Sequence, residues 1–435
     1  MSNEYTYIFM QRRVNMKIYI AIGLLIFITG CNATPAPKDD LAAPNTVKQG
    51  LSVERLGRIN VAMQDYIDAG KLVGISTLVA RNGEVVHFEA QGQQDREKQI
   101  PLSKDTIFRI YSMTKPITAV AALTLWEQGK FHMNDPIDMY LPELKNLKVY
   151  VSGDVDNMVL EDQKNPVRII DLFMHTAGFS YGFSQSPVDK AYQRSDVMQG
   201  KVAPQDVLKE IAKLPLNHQP GSQWNYGINT DIIGHLVEKL TGKKLGEYMR
   251  EVIFDPLNMN DTGFFVAPQK LSRFKQIYTA GDKGQTIKME NVPLGTYGSD
   301  PAVHNGGGGL TSTMNDYLTF AQMLLNDGQH NGVRILGRKT VEYMRSNHLP
   351  SSLVPFEPGA AGEGYGLAVS VTVDTNQLKY MGSVGNFGWG GMASTYVRID
   401  PVENIIILGM SQFVPIGFHR FHDDLRNLSY QALVD

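Results

Sequence analysis

The chain has 435 residues, 43% of them hydrophobic and 20% charged, with a formal net charge of −3. These are globular proportions, long enough for roughly two to three domain-sized units or one large domain with an insertion. The near-neutral balance, with no Lys/Arg block beyond the first twenty residues, gives no electrostatic case for nucleic-acid binding, and a single cysteine, Cys31, excludes any disulfide within the chain.

Arg12, Arg13 and Lys17 precede the apolar run "IYIAIGLLIFI" (18–28). The run is too short to span a bilayer and suits a signal-peptide core. It ends in Ile28-Thr29-Gly30-Cys31, which resembles the lipobox of bacterial lipoproteins. The resemblance implies a signal peptide over 1–31 and lipidation of Cys31. The protein would then sit in the bacterial envelope, anchored to a membrane through stable multiple acylation and facing the periplasm or the outer surface. Met16 opens a tidier signal than Met1. Residues 32–50, rich in Pro, Ala and polar side chains, read as a tether, and 51–435 as the folded part.

From 53, "VERLGRINVAMQDYIDAG" spaces its apolar residues as a helix that stops at Gly70. "GISTLVA" and "EVVHFEA" flank Arg81-Asn82-Gly83, a strong hairpin signal. Residues 116–345 are mostly helical segments and long loops: "ITAVAALTLWEQGK", "PVRIIDLFMHTAG", "APQDVLKEIAKLP", "TDIIGHLVEKLTG" and "MNDYLTFAQMLLNDG". Strands return in "YGLAVSVTV", "STYVRIDP" and "NIIILGMSQF", followed by a last helix in "FHDDLRNLSYQALVD". Strands at both ends with helices between predict an α+β fold, an antiparallel sheet flanked by helices. The sheet lobe would span about 51–115 and 345–435, with a mainly helical lobe inserted at about 116–344.

Two serines compete as nucleophile. Gly178-Phe179-Ser180-Tyr181-Gly182 is a literal Gly-x-Ser-x-Gly, which requires a strand entering the serine and a helix leaving it. Here the preceding "PVRIIDLFMHTAG" is helical in period, Gly178 stands where a C-cap glycine belongs, and "FSQSPVD" is a loop. "HNGGGG" (304–309) follows this serine, whereas an oxyanion loop of that fold precedes it. Ser180 therefore reads as a turn residue. Ser112 heads Ser112-Met113-Thr114-Lys115 at the start of a good helix. Backbone N–H groups and the helix dipole favour an oxyanion there, and Lys115, one turn on, shares the face of Ser112. A second Ser-x-x-Lys, Ser272 to Lys275, reads as solvated surface.

The segments "YSMTKPIT", "DLFMHTAGFSYGF", "PGSQWNYGINTDIIGHLVEKLTG", "FDPLNMNDTGF", "NGGGGLTSTMNDYLTFAQMLLNDG" and "FGWGGMASTYVRIDP" occur in this order. Together they resemble the serine β-lactamase-like superfamily of penicillin-binding proteins and class C β-lactamases, and within it the family VIII carboxylesterases. The resemblance covers about 53–435 and implies the β-lactamase/transpeptidase-like fold. It implies Ser112 as nucleophile, Lys115 and Tyr226 as proton carriers, and the backbone N–H groups of Ser112 and Met392 as the oxyanion hole. Whether Lys115 or Tyr226 is the resting base stays open. Gly388-Trp389-Gly390-Gly391 falls where relatives carry Lys-Thr-Gly on an edge strand, so Trp389, Gly390 and Gly391 would contact substrate. Tyr181 would line the pocket.

Two departures bear on substrate. No Lys-Thr-Gly occurs in the chain, and in penicillin-recognising relatives that lysine helps bind the substrate carboxylate. Trp389 in its place carries no charge, and an unpaired carboxylate is costly to bury. The second motif reads Tyr226-Gly227-Ile228, without the asparagine of class C β-lactamases two positions after the tyrosine. Both departures favour a small neutral ester as the small-molecule substrate, cleaved through an acyl-enzyme. The alternatives are a peptidoglycan DD-peptidase or weak β-lactamase, and a non-catalytic envelope-binding protein. No cofactor is called for. His419 and His422 with Asp423 and Asp424 read as the start of the last helix rather than a metal site. The Gly306–Gly309 run lacks a phosphate-loop lysine and reads as close backbone packing. Asp171 and His175 read as support for helix packing.

Overall fold

The computed structural model describes residues 47–294, 297–357 and 359–435. The signal segment, Cys31 and residues 32–46 of the expected tether lie outside the described residues. The tether does not extend to 50, because Val47–Lys48 pairs antiparallel with Leu51–Ser52 and the Lys48 ammonium donates to the Val85 carbonyl at 2.7 Å.

Ser52 caps helix α1, Val53–Asp68, its Oγ accepting from the Arg55 N–H at 3.2 Å. The helix buries Leu56, Ile59 and Met63, a stripe at i, i+3 and i+7. Strands β1 (Gly74–Arg81) and β2 (Glu84–Asp95) follow, joined at Asn82-Gly83 with φ 53° and 81°, the left-handed pair of a tight hairpin. A short β3 (Ile100–Pro101) extends that edge. The middle of the chain supplies helices α2 (Thr114–Glu127), α3 (Asn229–Thr241) and α4 (Met314–Leu325). The C-terminal part returns β4 (Glu363–Tyr365), β5 (Ser370–Thr372), β6 (Phe387–Gly391), β7 (Thr395–Asp400), β8 (Ile405–Met410) and helix α5 (Phe421–Tyr430).

The strands form one antiparallel sheet in the order β4-β5-β6-β7-β8-β1-β2-β3. Its centre is the pairing of β8 with β1, Ile407 opposite Val79, so the two ends of the sequence meet in mid-sheet. Alternate residues of β8 sort to opposite faces. Ile405 and Ile407 pack with α1 and α5, while Ile406, Leu408 and Met410 face the core shared with α2, α3 and α4. Helix α2 is buried from Thr114 to Leu125.

Three local expectations change. The helix read over 166–178 shrinks to Ile169–Phe173, since His175 turns left-handed with φ 58°. Gly178 is not its C-cap; φ there is +97° and a Cβ would lie 2.6 Å from the His218 carbonyl, so the glycine serves a close crossing. The strand read over 365–373 is broken, with the Gly366 N–H bonding back to the Val369 carbonyl at 2.8 Å. Ser272 is exposed as expected, but Lys275 is buried, its Nζ donating to the Gln93 carbonyl at 2.7 Å. Burial pulls its pKa down to about 7.

Candidate active site

A two-residue strand, Phe108–Arg109, pairs with Thr311–Ser312 and delivers the chain to a 3₁₀ turn at Tyr111–Met113 that runs into α2. Tyr111 holds φ 41°, left-handed for a bulky side chain, and such strain is kept where the surrounding structure over-determines it. The turn leaves Ser112 half-buried at the head of α2, with Lys115 fully buried one turn on. Lys115 Nζ donates to Ser112 Oγ at 3.2 Å and to the Gly307 carbonyl at 2.7 Å. The ammonium also stands over two aromatic faces, 4.6 Å from the Tyr226 ring centroid and 4.9 Å from that of Tyr181.

Tyr226 and Tyr181 are brought together by backbone. A Cβ on Gly227 would collide with the Phe179 carbonyl, so glycine permits segment 179–181 to lie along 225–228. Asn225 Nδ2 and the Ile228 N–H fix the crossing by donating to the Phe179 and Ser180 carbonyls at 2.7 and 3.3 Å. The Tyr181 and Tyr226 rings then sit 5.3 Å apart. His175 backs Tyr226 at 4.8 Å; its Nδ1 accepts from the Gly227 N–H at 3.4 Å and contacts Asn229 Nδ2 at 2.8 Å. Burial, with the Lys115 charge second, pushes the His175 pKa well below its ordinary value, so the ring is neutral. His175 thus supports Tyr226 more than helix packing, whereas Asp171 ties Arg168 and Thr176 at the helix start.

Trp389 Nε1 donates to the Tyr226 hydroxyl at 3.2 Å, so an indole covers the face where a lysine ammonium was the alternative. Its strand, β6, is not at the sheet edge; it is third in order. Yet β5 pairs only with Phe387 and Gly388, which leaves residues 389–391 open on that side. A Cβ on Gly391 would collide with the Ile110 carbonyl, and Thr395 Oγ1 donates to the same carbonyl at 3.1 Å. The end of β6 is therefore docked on the backbone that leads into Ser112. Met392 packs in the cluster that contains Tyr111.

Sequence reasoning missed Asp231 and the part played by the glycine run. Asp231 is buried in the first turn of α3; its Oδ1 accepts the Gly307 N–H and its Oδ2 the Tyr181 hydroxyl, both at 2.9 Å. Gly307 thereby joins the carboxylate, through its N–H, to the Lys115 ammonium, through its carbonyl. A Cβ on Gly307 would collide with both Tyr181 and Asp231, so the packing expected of Gly306–Gly309 is here a functional fit. "YGINTD" placed the aspartate five residues after Tyr226, but no spacing rule aims it at a loop 76 residues away.

Burial raises the Asp231 pKa, against the lowering effect of Lys115. A folded pKa above the unfolded one means the stability contribution is complete below the unfolded value, about 4, and is lost as pH rises through the folded one. The raised pKa therefore makes the Asp231 contribution to stability fall as pH rises. Asp231→Asn removes the carboxylate beside the buried Lys115 and is expected to lower kcat/KM by about ten- to a hundredfold through the misplaced lysine. Steady-state rates on the folded variant check this, and a kcat/KM within about twofold of wild type would reverse the reading.

Ser180 stands outside this group. Its Oγ donates to Asp189 and accepts the Gly182 N–H at 3.0 Å, and the side chain is buried. Tyr181, two atoms of backbone away, carries the contacts to Lys115 and Asp231. Near the last helix, the Asp424 carboxylate accepts from the Tyr66 hydroxyl at 2.6 Å and the His422 ring is tilted against that of Phe421; among the described residues no group of three or more His, Cys, Asp or Glu could hold a metal ion.

The family model described as Beta-lactamase matches residues 59–431. Protein Rv1367c of Mycobacterium tuberculosis H37Rv is 35% identical over 81% of this chain and 89% of its own length. Esterase EstB of Burkholderia gladioli is 28% identical over 81% of this chain and 88% of its own. Among solved structures, EstCE1, described as a hydrolase with promiscuous acyltransferase activity, superposes with a TM-score of 0.75 at 24% identity, covering 87% of this chain and 99% of that one.

Proposed function

The chain belongs to the β-lactamase family of serine hydrolases, and from that premise we propose that it is a carboxylesterase acting on neutral esters of small molecules. Ser112 Oγ attacks the ester carbonyl and its proton passes to the one member of the Lys115/Tyr226 pair that lacks it, either a Tyr226 phenolate beside the Lys115 ammonium or a neutral Lys115 amine beside the Tyr226 hydroxyl. The N–H groups of Ser112 and Met392 hold the oxyanion. The protonated pair delivers its proton to the departing alkoxide, and water, activated by the same pair, releases the acid and restores Ser112.

One observation carries the choice of ester: the Trp389 indole donates to Tyr226 at 3.2 Å where carboxylate-binding relatives would offer an ammonium. A β-lactam or a C-terminal D-alanine would bring its carboxylate against that indole, and an unpaired buried carboxylate is expensive. The similarity to Esterase EstB supports the same reading. The test is a panel of p-nitrophenyl butyrate, nitrocefin and an acyl-D-Ala-D-Ala peptide, with a fluorophosphonate probe located by mass spectrometry. We expect the probe on Ser112 and the highest kcat/KM on the ester. Preference for nitrocefin or the peptide would transfer the protein to the β-lactamase or DD-peptidase class, and an unlabelled Ser112 would leave a binding protein.

The proposed address is the bacterial envelope, through acylation of Cys31. It is supported by the lipobox-like Ile28-Thr29-Gly30-Cys31 after the apolar run. Radiolabelled palmitate should enter the wild type and not Cys31→Ser; equal incorporation would discard the anchor.

A further inference from the structure

A cavity of about 610 Å³ lies beside the candidate site, with Tyr181 as a shared wall. Val202, Val207 and Ile211 line it from one segment of the chain, Val292 and Leu294 from another, and Ile228 joins them in the lining. Ile228 is the residue that stands in place of the asparagine of class C β-lactamases, so the departure noted in the sequence makes this wall hydrocarbon.

The charged groups at the wall are already partnered within the protein. Asp231 holds the Gly307 N–H and the Tyr181 hydroxyl at 2.9 Å. His235 contacts Glu238 at 3.2 Å. His304 accepts the Gly246 N–H at 2.9 Å and faces Asp300 at 2.8 Å. A polar ligand would find these groups occupied, whereas a hydrocarbon would exchange water for an apolar lining.

Three lining residues, Tyr181, Val292 and Leu294, connect the cavity to the surroundings of Ser112. Tyr181 stands 4.9 Å from Lys115 Nζ. Val292 packs with Tyr111 and Met392. Leu294 Cδ1 lies beside Gly308, the residue after Gly307, whose carbonyl accepts from Lys115.

We propose that this cavity receives the acyl chain of the ester, and that the protein prefers unbranched acyl groups of about six to eight carbons, in keeping with a pocket of this size. The inference rests on Ser112 being an ester nucleophile and adds the substrate class.

The experiment measures kcat/KM for p-nitrophenyl acetate, butyrate and octanoate. It uses the wild type, Val202→Trp, which fills one wall, and Leu294→Trp, which fills the other. The wild type should favour octanoate over acetate by at least about tenfold, since the longer chain would move its added methylenes from water to an apolar lining. Each tryptophan should lower the octanoate-to-acetate ratio at least about tenfold; the ratio cancels any general loss of folded protein. A wild-type preference for acetate, or a ratio within twofold of wild type in both variants, overturns the acyl-chain assignment while ester hydrolysis stands. Failure to turn over any of the three esters overturns it together with the esterase reading.

Discussion

Ser112→Ala should lower kcat for p-nitrophenyl butyrate by about 10⁴- to 10⁶-fold, the loss that follows removal of a nucleophile whose partners act as a unit. Ser180→Ala should stay within about tenfold of wild type, far less than loss of a nucleophile costs. The contrast rests on what each hydroxyl touches. Ser112 Oγ is half-buried, 3.2 Å from the Lys115 ammonium, at the head of a helix whose first N–H groups favour developing negative charge. Ser180 Oγ is committed to Asp189 and to the Gly182 N–H, so its removal costs stability, about 1–3 kcal/mol for the unsatisfied buried partner, and little chemistry. Steady-state rates on purified, folded variants decide. If Ser112→Ala keeps more than a hundredth of wild-type turnover, the nucleophile is elsewhere and the proton-transfer scheme falls with it.

Much of this contrast was legible in the sequence because it is local. Ser112 and Lys115 lie one helical turn apart, so a spacing on paper is a distance in space. The hairpin at Asn82-Gly83 and the helix starting after Ser52 were legible for the same reason, each being set by its own turn or cap. The antiparallel sheet assembled from both chain ends followed from the order of the elements. What escaped was non-local. Asp231 matters only because a loop 76 residues later brings Gly307 to it, and Lys275, which looked like surface, is buried by contact with Gln93 on a strand far earlier in the chain. Segment 166–178 kept its helical period, but the chain leaves the helix at His175 to bring its ring behind Tyr226. Tertiary demand at the site overrode local propensity there.

Glu363→Gln is expected to destabilise the fold by about 3–5 kcal/mol, the cost of removing one partner from a buried ionic group. Glu363, on β4, is the carboxylate for two buried guanidinium groups, Arg398 on β7 and Arg426 on α5. It also accepts from the Tyr380 hydroxyl at 3.1 Å, and Arg398 extends the network to Ser370 on β5 at 2.9 Å. Burial works against the Arg398 charge, and the nearby carboxylate more than offsets it, raising that pKa. Gln keeps the shape and leaves two buried cations with no anion. At this chain length the loss corresponds to a fall in Tm on the order of 5–10 °C. None of these side chains touches Ser112 or Lys115, so kcat at 25 °C on the folded fraction should change less than about twofold, within the small effects of distant substitutions. The paired replacement Glu363→Leu with Arg398→Met separates charge from packing, because removing both partners of a buried pair is often neutral. Calorimetry on the three proteins gives the answer: a Tm for Glu363→Gln within about a degree of wild type would mean that solvent already compensates the arginines, and that packing alone holds β4 and β5 on the sheet.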